Sequence, residues 1–170
     1  LSRTVVPAGS ISAMTTLHET SFNALIDDLA EHGWAIQTAA LPADLTAALA
    51  AECRARQQNG GLQPAGVGRG GAQRVNSAVR GDQIDWLEAA QSPACARYLG
   101  LLDELRLGLN RALYLGLEDY EGHFALYPPG AFYQKHLDRF RDDDKRGVSA
   151  VFYLNDDWLP EHGGALRLYL

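Results

Sequence analysis

The amino-acid sequence predicts an α+β protein, with helices first, strands later, and the helices packed on one face of a sheet or barrel. Up to about residue 116 the apolar residues recur at helical spacing, three or four apart. From about residue 120 the spacing changes to the period of two that suits strands. Neither an internal repeat nor a composition boundary breaks the 170 residues, and 46% of them are hydrophobic, enough for one domain with a real core. We therefore expect a single domain over 14–170, helical to about 116 and strand-forming from about 120.

Taken in order, Leu1 to Ala13 carry Pro7, Gly9, Ser10 and Ser12 without periodicity. They read as an added or disordered tail ahead of a natural start at Met14. Ser21 suits the cap of a first helix with Phe22, Leu25, Ile26 and Leu29 on one side, and Gly33 suits its stop. Trp34 to Ile36 reads as a short strand. Pro42 suits the first turn of a second helix, whose stripe is Leu45, Ala48, Leu49 and Cys53. Six glycines in 59–72 and no apolar period predict a mobile loop, either a substrate lid or a plain linker. Val75 to Val79 reads as a strand. Ser92-Pro93 opens the longest helix, with leucines at 99, 102, 105, 109 and 113 and an end near Gly116. Strands are expected at 120–127, 131–138, 148–155 and 164–170.

The formal net charge of −6 speaks against a nucleic-acid partner held by overall charge. No apolar run approaches the roughly 18 residues that span a membrane. Cys53 and Cys95 lack C-x-x-C partners and read as free thiols in a reducing compartment, so a cytoplasmic location is expected.

The chemistry concentrates in Tyr127-Pro-Pro-Gly130-Ala-Phe-Tyr133-Gln-Lys-His136-Leu-Asp138. On a strand, residues i and i+2 share a face, so His136 and Asp138 can hold one metal ion together. Two histidines and one carboxylate with open positions are the ligand set of non-haem Fe(II) oxygenases. Alone, the pair also fits a satisfied strand histidine and an Asp capping the turn into the charged loop 139–146. Three phenols in neighbouring predicted strands, Tyr127, Tyr133 and Tyr153, favour a polar pocket, because buried phenols need partners. The charged loop reads as a solvated turn or the border of a substrate groove. Arg80-Gly81-Asp82 as an integrin-type tripeptide fits an acidic cytosolic protein poorly.

Together, Tyr127 to Asp138, Val151-Phe-Tyr153-Leu-Asn155-Asp-Asp-Trp158, Gly163-Gly164-Ala-Leu166-Arg-Leu168 and the segment Arg80 to Trp86 resemble the prolyl hydroxylases of the Fe(II)/2-oxoglutarate oxygenase superfamily. The similarity is to the oxygen-sensing branch and its bacterial relatives more than to the collagen type, and it covers roughly 75–170. It implies a double-stranded β-helix (a jelly-roll, cupin-like core) with N-terminal packing helices. It implies Fe(II), 2-oxoglutarate as cosubstrate, O2, and ascorbate as reductant. It implies 4-hydroxylation of a proline in a protein substrate, with elongation factor Tu the candidate that the bacterial branch suggests. By the same resemblance His136 and Asp138 are metal ligands. Tyr153 bonds the distal carboxylate of 2-oxoglutarate, Tyr127 and Tyr133 line its pocket, and Leu166 forms an apolar wall. Arg80 and Asp82 belong to a mobile segment that folds over the peptide.

The family's distal histidine ligand and its 2-oxoglutarate-binding arginine are expected several tens of residues beyond the H-x-D pair, past Leu170, which makes the barrel incomplete here. His162, in the Pro160-Glu-His-Gly-Gly turn, reads as a loop histidine. Arg167 is not given the arginine's role, because a strand would point its neighbour Leu166 the opposite way. Two other functions remain open on the residues: a 2-oxoglutarate oxygenase acting on a small molecule, and a non-catalytic binding module on a truncated barrel.

Overall fold

The computed structural model describes residues 19–67, 74–138 and 147–169. The expected tail and Met14, and the charged loop 139–146, lie outside the described residues. The chain divides into two compact units, one ending at Pro42 and the other beginning at Ala43.

In the first unit α1 spans Glu19–His32. It begins two residues before Ser21, so Ser21 lies within the helix. Gly33 ends it at φ +77°, its N–H reaching Leu29 O at 3.0 Å. That left-handed position is one a side chain resists. Trp34 to Ile36 forms no strand. Trp34 instead rests near the His32 ring, 6.0 Å away, and Ile36 stays exposed. Alternating apolar residues make a strand only where a second strand takes up the backbone bonds.

In the second unit α2 spans Ala43–Gln58 and α3 spans Pro93–Leu113. The stripe of α2 is Leu45, Leu49 and Cys53, one residue per turn, joined by Ala50, while Ala48 faces solvent. Ser92 caps α3: its hydroxyl accepts the Cys95 N–H at 3.1 Å, and Pro93 fills the first turn, where no N–H is needed. The helix ends at Leu113, three residues before the expected Gly116, because Tyr114 turns left-handed at φ 55°. Asn110 holds the exit by bonding both the N–H and the carbonyl of Leu117.

Among the described residues five strands belong to this unit: β1 Gln63–Pro64, β2 Gly66–Val67, β3 Arg74–Val75, β4 Gln83–Trp86 and β5 His123–Leu126. One antiparallel sheet has the order β1-β4-β5, with Gln63 opposite Ile84 and Asp85 opposite Phe124. A second pairs β2 with β3. The expectation of a loop throughout 59–72 is corrected by β1 and β2, while 68–72 lies outside the described residues. The expected strand at 75–79 shrinks to Val75, because Asn76 starts a turn that Val79 N closes. β4 was not anticipated.

The expected strands at 131–138, 148–155 and 164–170 are corrected too. Among the described residues only Tyr133 makes a bridge, to Arg80. Val151, Leu166 and Leu168 are exposed, and no described strand lies beside them to complete a ladder.

The core gathers Leu45, Leu49, Leu62, Cys95, Leu109 and Phe124. Cys53 and Cys95 are buried free thiols, as expected, and burial raises the pKa of both. Arg56 ties α2 to β4 and to the turn before α3. It donates to Glu52, to Asp85 Oδ2 at 2.7 Å and to Gln91 Oε1 at 3.2 Å, and lies over Phe124. Burial acts to raise the pKa of Glu52. Hydrogen bonds from Ser92, Arg56 and Cys95 outweigh it and hold the carboxyl below its usual value.

Candidate active site

The site is assembled by a reversal after β5. Ala131 N bonds Pro128 O at 2.9 Å, with Pro129 second in the turn and Gly130 third at φ +79°. That is the residue pattern of a type II turn. The chain then runs back beside residues 79–81: Gly81 N bonds Phe132 O at 3.0 Å, and Gln134 N bonds Val79 O at 2.9 Å. Glycine at 81 eases this approach, since a Cβ there would lie 3.2 Å from Ala131 Cβ, closer than most such contacts. Arg80 and Tyr133 thus face each other across a bridge that sequence spacing cannot reveal.

Asp82 is the one buried charged residue among the described residues, 2% exposed. Arg80 grips it with two bonds, Nε to Oδ1 at 2.8 Å and Nη2 to Oδ2 at 3.0 Å. The Asp82 hydrogen bond is the main reason the guanidinium pKa is raised. Arg80 Cζ also lies 4.8 Å from the centroid of Tyr133, over its ring. Tyr133 in turn stacks on His136, with ring centroids 3.6 Å apart and 17° between planes.

His136 Nε2 lies 3.1 Å from Asp138 Oδ1. Its Nδ1 is 2.7 Å from Gln134 O. A carbonyl can only accept, so Nδ1 donates to it, and Nε2 is the nitrogen turned toward the Asp138 carboxylate. A nitrogen and an oxygen donor thus stand side by side, and the Gln134 carbonyl fixes the ring. The donor set fits a divalent transition metal such as Fe(II). Among the described residues no group of three His, Cys, Asp or Glu side chains gathers to hold a metal ion. His136 and Asp138 are the two candidate donors placed together.

Tyr127 stands within electrostatic reach of Asp82, Arg80, Tyr133 and Tyr153. Burial pushes its phenol up to about 12, the Asp82 carboxylate adds to the shift, and Arg80 opposes it. The Tyr153 hydroxyl donates to Gly164 O at 3.0 Å and accepts from Leu166 N at 3.1 Å, which ties the Gly163-Gly164 turn to the pocket side. Direct contacts join His136, Asp138, Tyr133, Arg80 and Asp82. Tyr153 and Leu166 form a separate hydrogen-bonded pair, and Tyr127 has electrostatic reach to both groups. Asp82 differs from a free substrate-facing carboxylate: its side chain is buried and both oxygens serve Arg80.

Two participants were not singled out. Ser149 Oγ donates to Asp138 Oδ2, and the backbone carbonyl of Gln134 holds His136. Ser149 lies eleven residues from its partner and beyond an intervening loop, so no spacing rule points to it. His162 sits in a 3-10 turn, Pro160–His162, beside Trp158, as expected of a loop histidine.

Comparison with known proteins accords with this geometry. A family model described as the 2OG-Fe(II) oxygenase superfamily matches residues 122–170. The crystal structure of a Pseudomonas putida prolyl-4-hydroxylase is 57% identical, with a TM-score of 0.75, covering 82% of this chain and 71% of that one. Egl nine homolog 1 of Mus musculus is 35% identical over 99 residues, 54% of this chain and 24% of that protein. Its counterpart in Rattus norvegicus is 34% identical over 99 residues and 28% of its length. The chain therefore spans about a quarter of the length of the curated relatives it matches. It belongs to the 2OG-Fe(II) oxygenase superfamily, among the bacterial members that resemble prolyl hydroxylases.

Proposed function

We propose that the chain forms part of an Fe(II)- and 2-oxoglutarate-dependent dioxygenase that 4-hydroxylates a proline in a protein substrate. The observation that carries this is the paired Nε2 and Oδ1 of His136 and Asp138, set within a chain 57% identical to a prolyl-4-hydroxylase over 82% of its length. The double-stranded β-helix implied by the family belongs to the same proposal. So do a cytoplasmic location, ascorbate as reductant and a translation factor such as elongation factor Tu as substrate. Among the described residues no helix is long and apolar enough to cross a membrane.

His136 Nε2 and Asp138 Oδ1 are the atoms that would hold the iron. When bound, Fe(II) supplies the redox chemistry that couples decarboxylation of 2-oxoglutarate to succinate and CO2 with transfer of one oxygen atom to proline C4. The chain's own residues hold and orient. Gln134 O keeps the proton on His136 Nδ1, so the ligating nitrogen is not the protonated one. Ser149 holds the Asp138 oxygen farther from His136 and leaves Oδ1 facing the imidazole. Tyr127, with its pKa near 12, remains a neutral phenol at physiological pH and can donate a hydrogen bond to a carboxylate. The Tyr153 hydroxyl can turn its donated bond from Gly164 O to the distal carboxylate of 2-oxoglutarate. The Leu166 N–H fixes that hydroxyl through its backbone, while the Leu166 side chain is exposed rather than forming the expected apolar wall.

The test is incubation of the protein carrying this chain with Fe(II), 2-oxoglutarate, ascorbate and purified elongation factor Tu, followed by peptide mass spectrometry. The reading expects a gain of one oxygen atom on a proline-containing peptide, dependent on 2-oxoglutarate. Turnover of 2-oxoglutarate with no proline-containing protein, elongation factor Tu included, would remove it.

A further inference from the structure

We propose that Arg80 and Tyr133 are positioning residues for His136, forming a buttress that holds the imidazole in its metal-binding posture from across the sheet bridge. The inference rests on the reading of His136 as a metal ligand and adds what keeps it in place. His136 needs such a device. It lies on an exposed stretch, its side chain 37% accessible, and a free imidazole would lose rotamer entropy on capturing an ion. Fixing the ring beforehand removes that cost from binding.

Every link of the buttress is anchored. The Tyr133 ring covers the imidazole at 3.6 Å and 17°. Arg80 lies over the Tyr133 ring at 4.8 Å. Arg80 is itself immobilised by two bonds to Asp82, whose side chain has no exposure. Backbone bonds on both sides of the Arg80–Tyr133 bridge fix the distance between the two segments. The planar guanidinium matters twice, as a fork for the carboxylate and as a flat cation over the phenol, and a lysine ammonium provides neither shape. The tyrosine contributes its ring rather than its hydroxyl. Neither residue touches the metal position, so both act through His136.

The test is isothermal titration of the protein carrying this chain with Mn(II), comparing Tyr133→Phe, Tyr133→Leu and Arg80→Lys, with folding checked by circular dichroism. Tyr133→Phe keeps the stacked ring and is expected to bind within about twofold of the parent. Tyr133→Leu removes it and is expected to weaken binding by about tenfold or more, the usual consequence of losing an orienting partner of a ligand. Arg80→Lys keeps the charge beside Asp82 but loses the flat contact with Tyr133, and is expected to weaken binding measurably but less than Tyr133→Leu. In the metal-free protein the His136 ring protons, shifted upfield by the Tyr133 ring, are expected to move downfield in Tyr133→Leu and not in Tyr133→Phe. Tyr133→Leu with parental affinity, or Tyr133→Phe as weak as Tyr133→Leu, would overturn the proposal. If Tyr133→Leu does not fold, an unchanged affinity in Arg80→Lys overturns it. A parent protein that binds no Mn(II) defeats the ligand reading itself, and this proposal with it.

Discussion

Replacing Arg80 with alanine is expected to destabilise the second unit far more than loss of a surface ion pair. The magnitude follows from burial. An exposed pair contributes about 0–1 kcal/mol, because water and salt screen it. Asp82 has no side-chain exposure and Arg80 only 16%, so Arg80→Ala leaves a carboxylate buried without its cation. Breaking such a pair from one side costs about 3–5 kcal/mol. The contact with the Tyr133 ring adds about 0.5–2 kcal/mol. Urea unfolding followed by far-ultraviolet circular dichroism reads this directly, as a lower midpoint at unchanged slope. The double variant Arg80→Ala/Asp82→Ala should recover part of the loss, because no unpaired charge remains inside. A loss under about 1 kcal/mol for Arg80→Ala, the range of exposed pairs, would show that the carboxylate finds water and that the pair does not lock the bridge.

Other expectations follow from the same geometry. His136→Ala or Asp138→Ala each removes one of two adjacent donors and should abolish Mn(II) binding; unchanged heats of titration would end the ligand assignment. Tyr153→Phe should weaken 2-oxoglutarate binding by about 0.5–3 kcal/mol, the range for one hydrogen bond to a charged group, and an unaltered dissociation constant would take Tyr153 out of the pocket. Glu52, whose folded pKa lies below its ordinary 4.5, stabilises the fold above that value, and the contribution is lost as pH falls from 4.5 through the lowered folded pKa. Urea midpoints of Glu52→Gln should therefore depend less on pH below 4.5 than those of the parent, and parallel profiles would count against the Glu52–Arg56–Ser92 network.

What the sequence showed depended on how local the cause was. The cap Ser92-Pro93, the stop at Gly33 and the Leu45-Leu49-Cys53 stripe are set within a turn or two of chain, and all three appear where expected. Strands are set by partners. The alternation in 148–155 and 164–170 was visible, yet among the described residues no strand lies beside those segments. Conversely β4 was missed because Gln83-Ile-Asp-Trp86 alternates too briefly to stand out. Its two neighbours come from positions twenty residues before it and forty after. The eight site residues were named through resemblance and through H-x-D spacing. Their linkage was not legible, since the Arg80–Tyr133 bridge joins segments more than fifty residues apart. The burial of Asp82 was equally hidden: a carboxylate in Arg-Gly-Asp looks exposed until its arginine folds back over it.

The central claim is that His136 and Asp138 hold the iron at which 2-oxoglutarate decarboxylation and proline hydroxylation are coupled. The most direct measurement is the ratio of succinate to hydroxyproline formed by the protein carrying this chain, with Fe(II), 2-oxoglutarate and a proline-containing protein, beside its His136→Ala variant. Equal molar amounts are expected from the parent and neither product from the variant. Succinate without hydroxyproline, or equal activity in the variant, would contradict it.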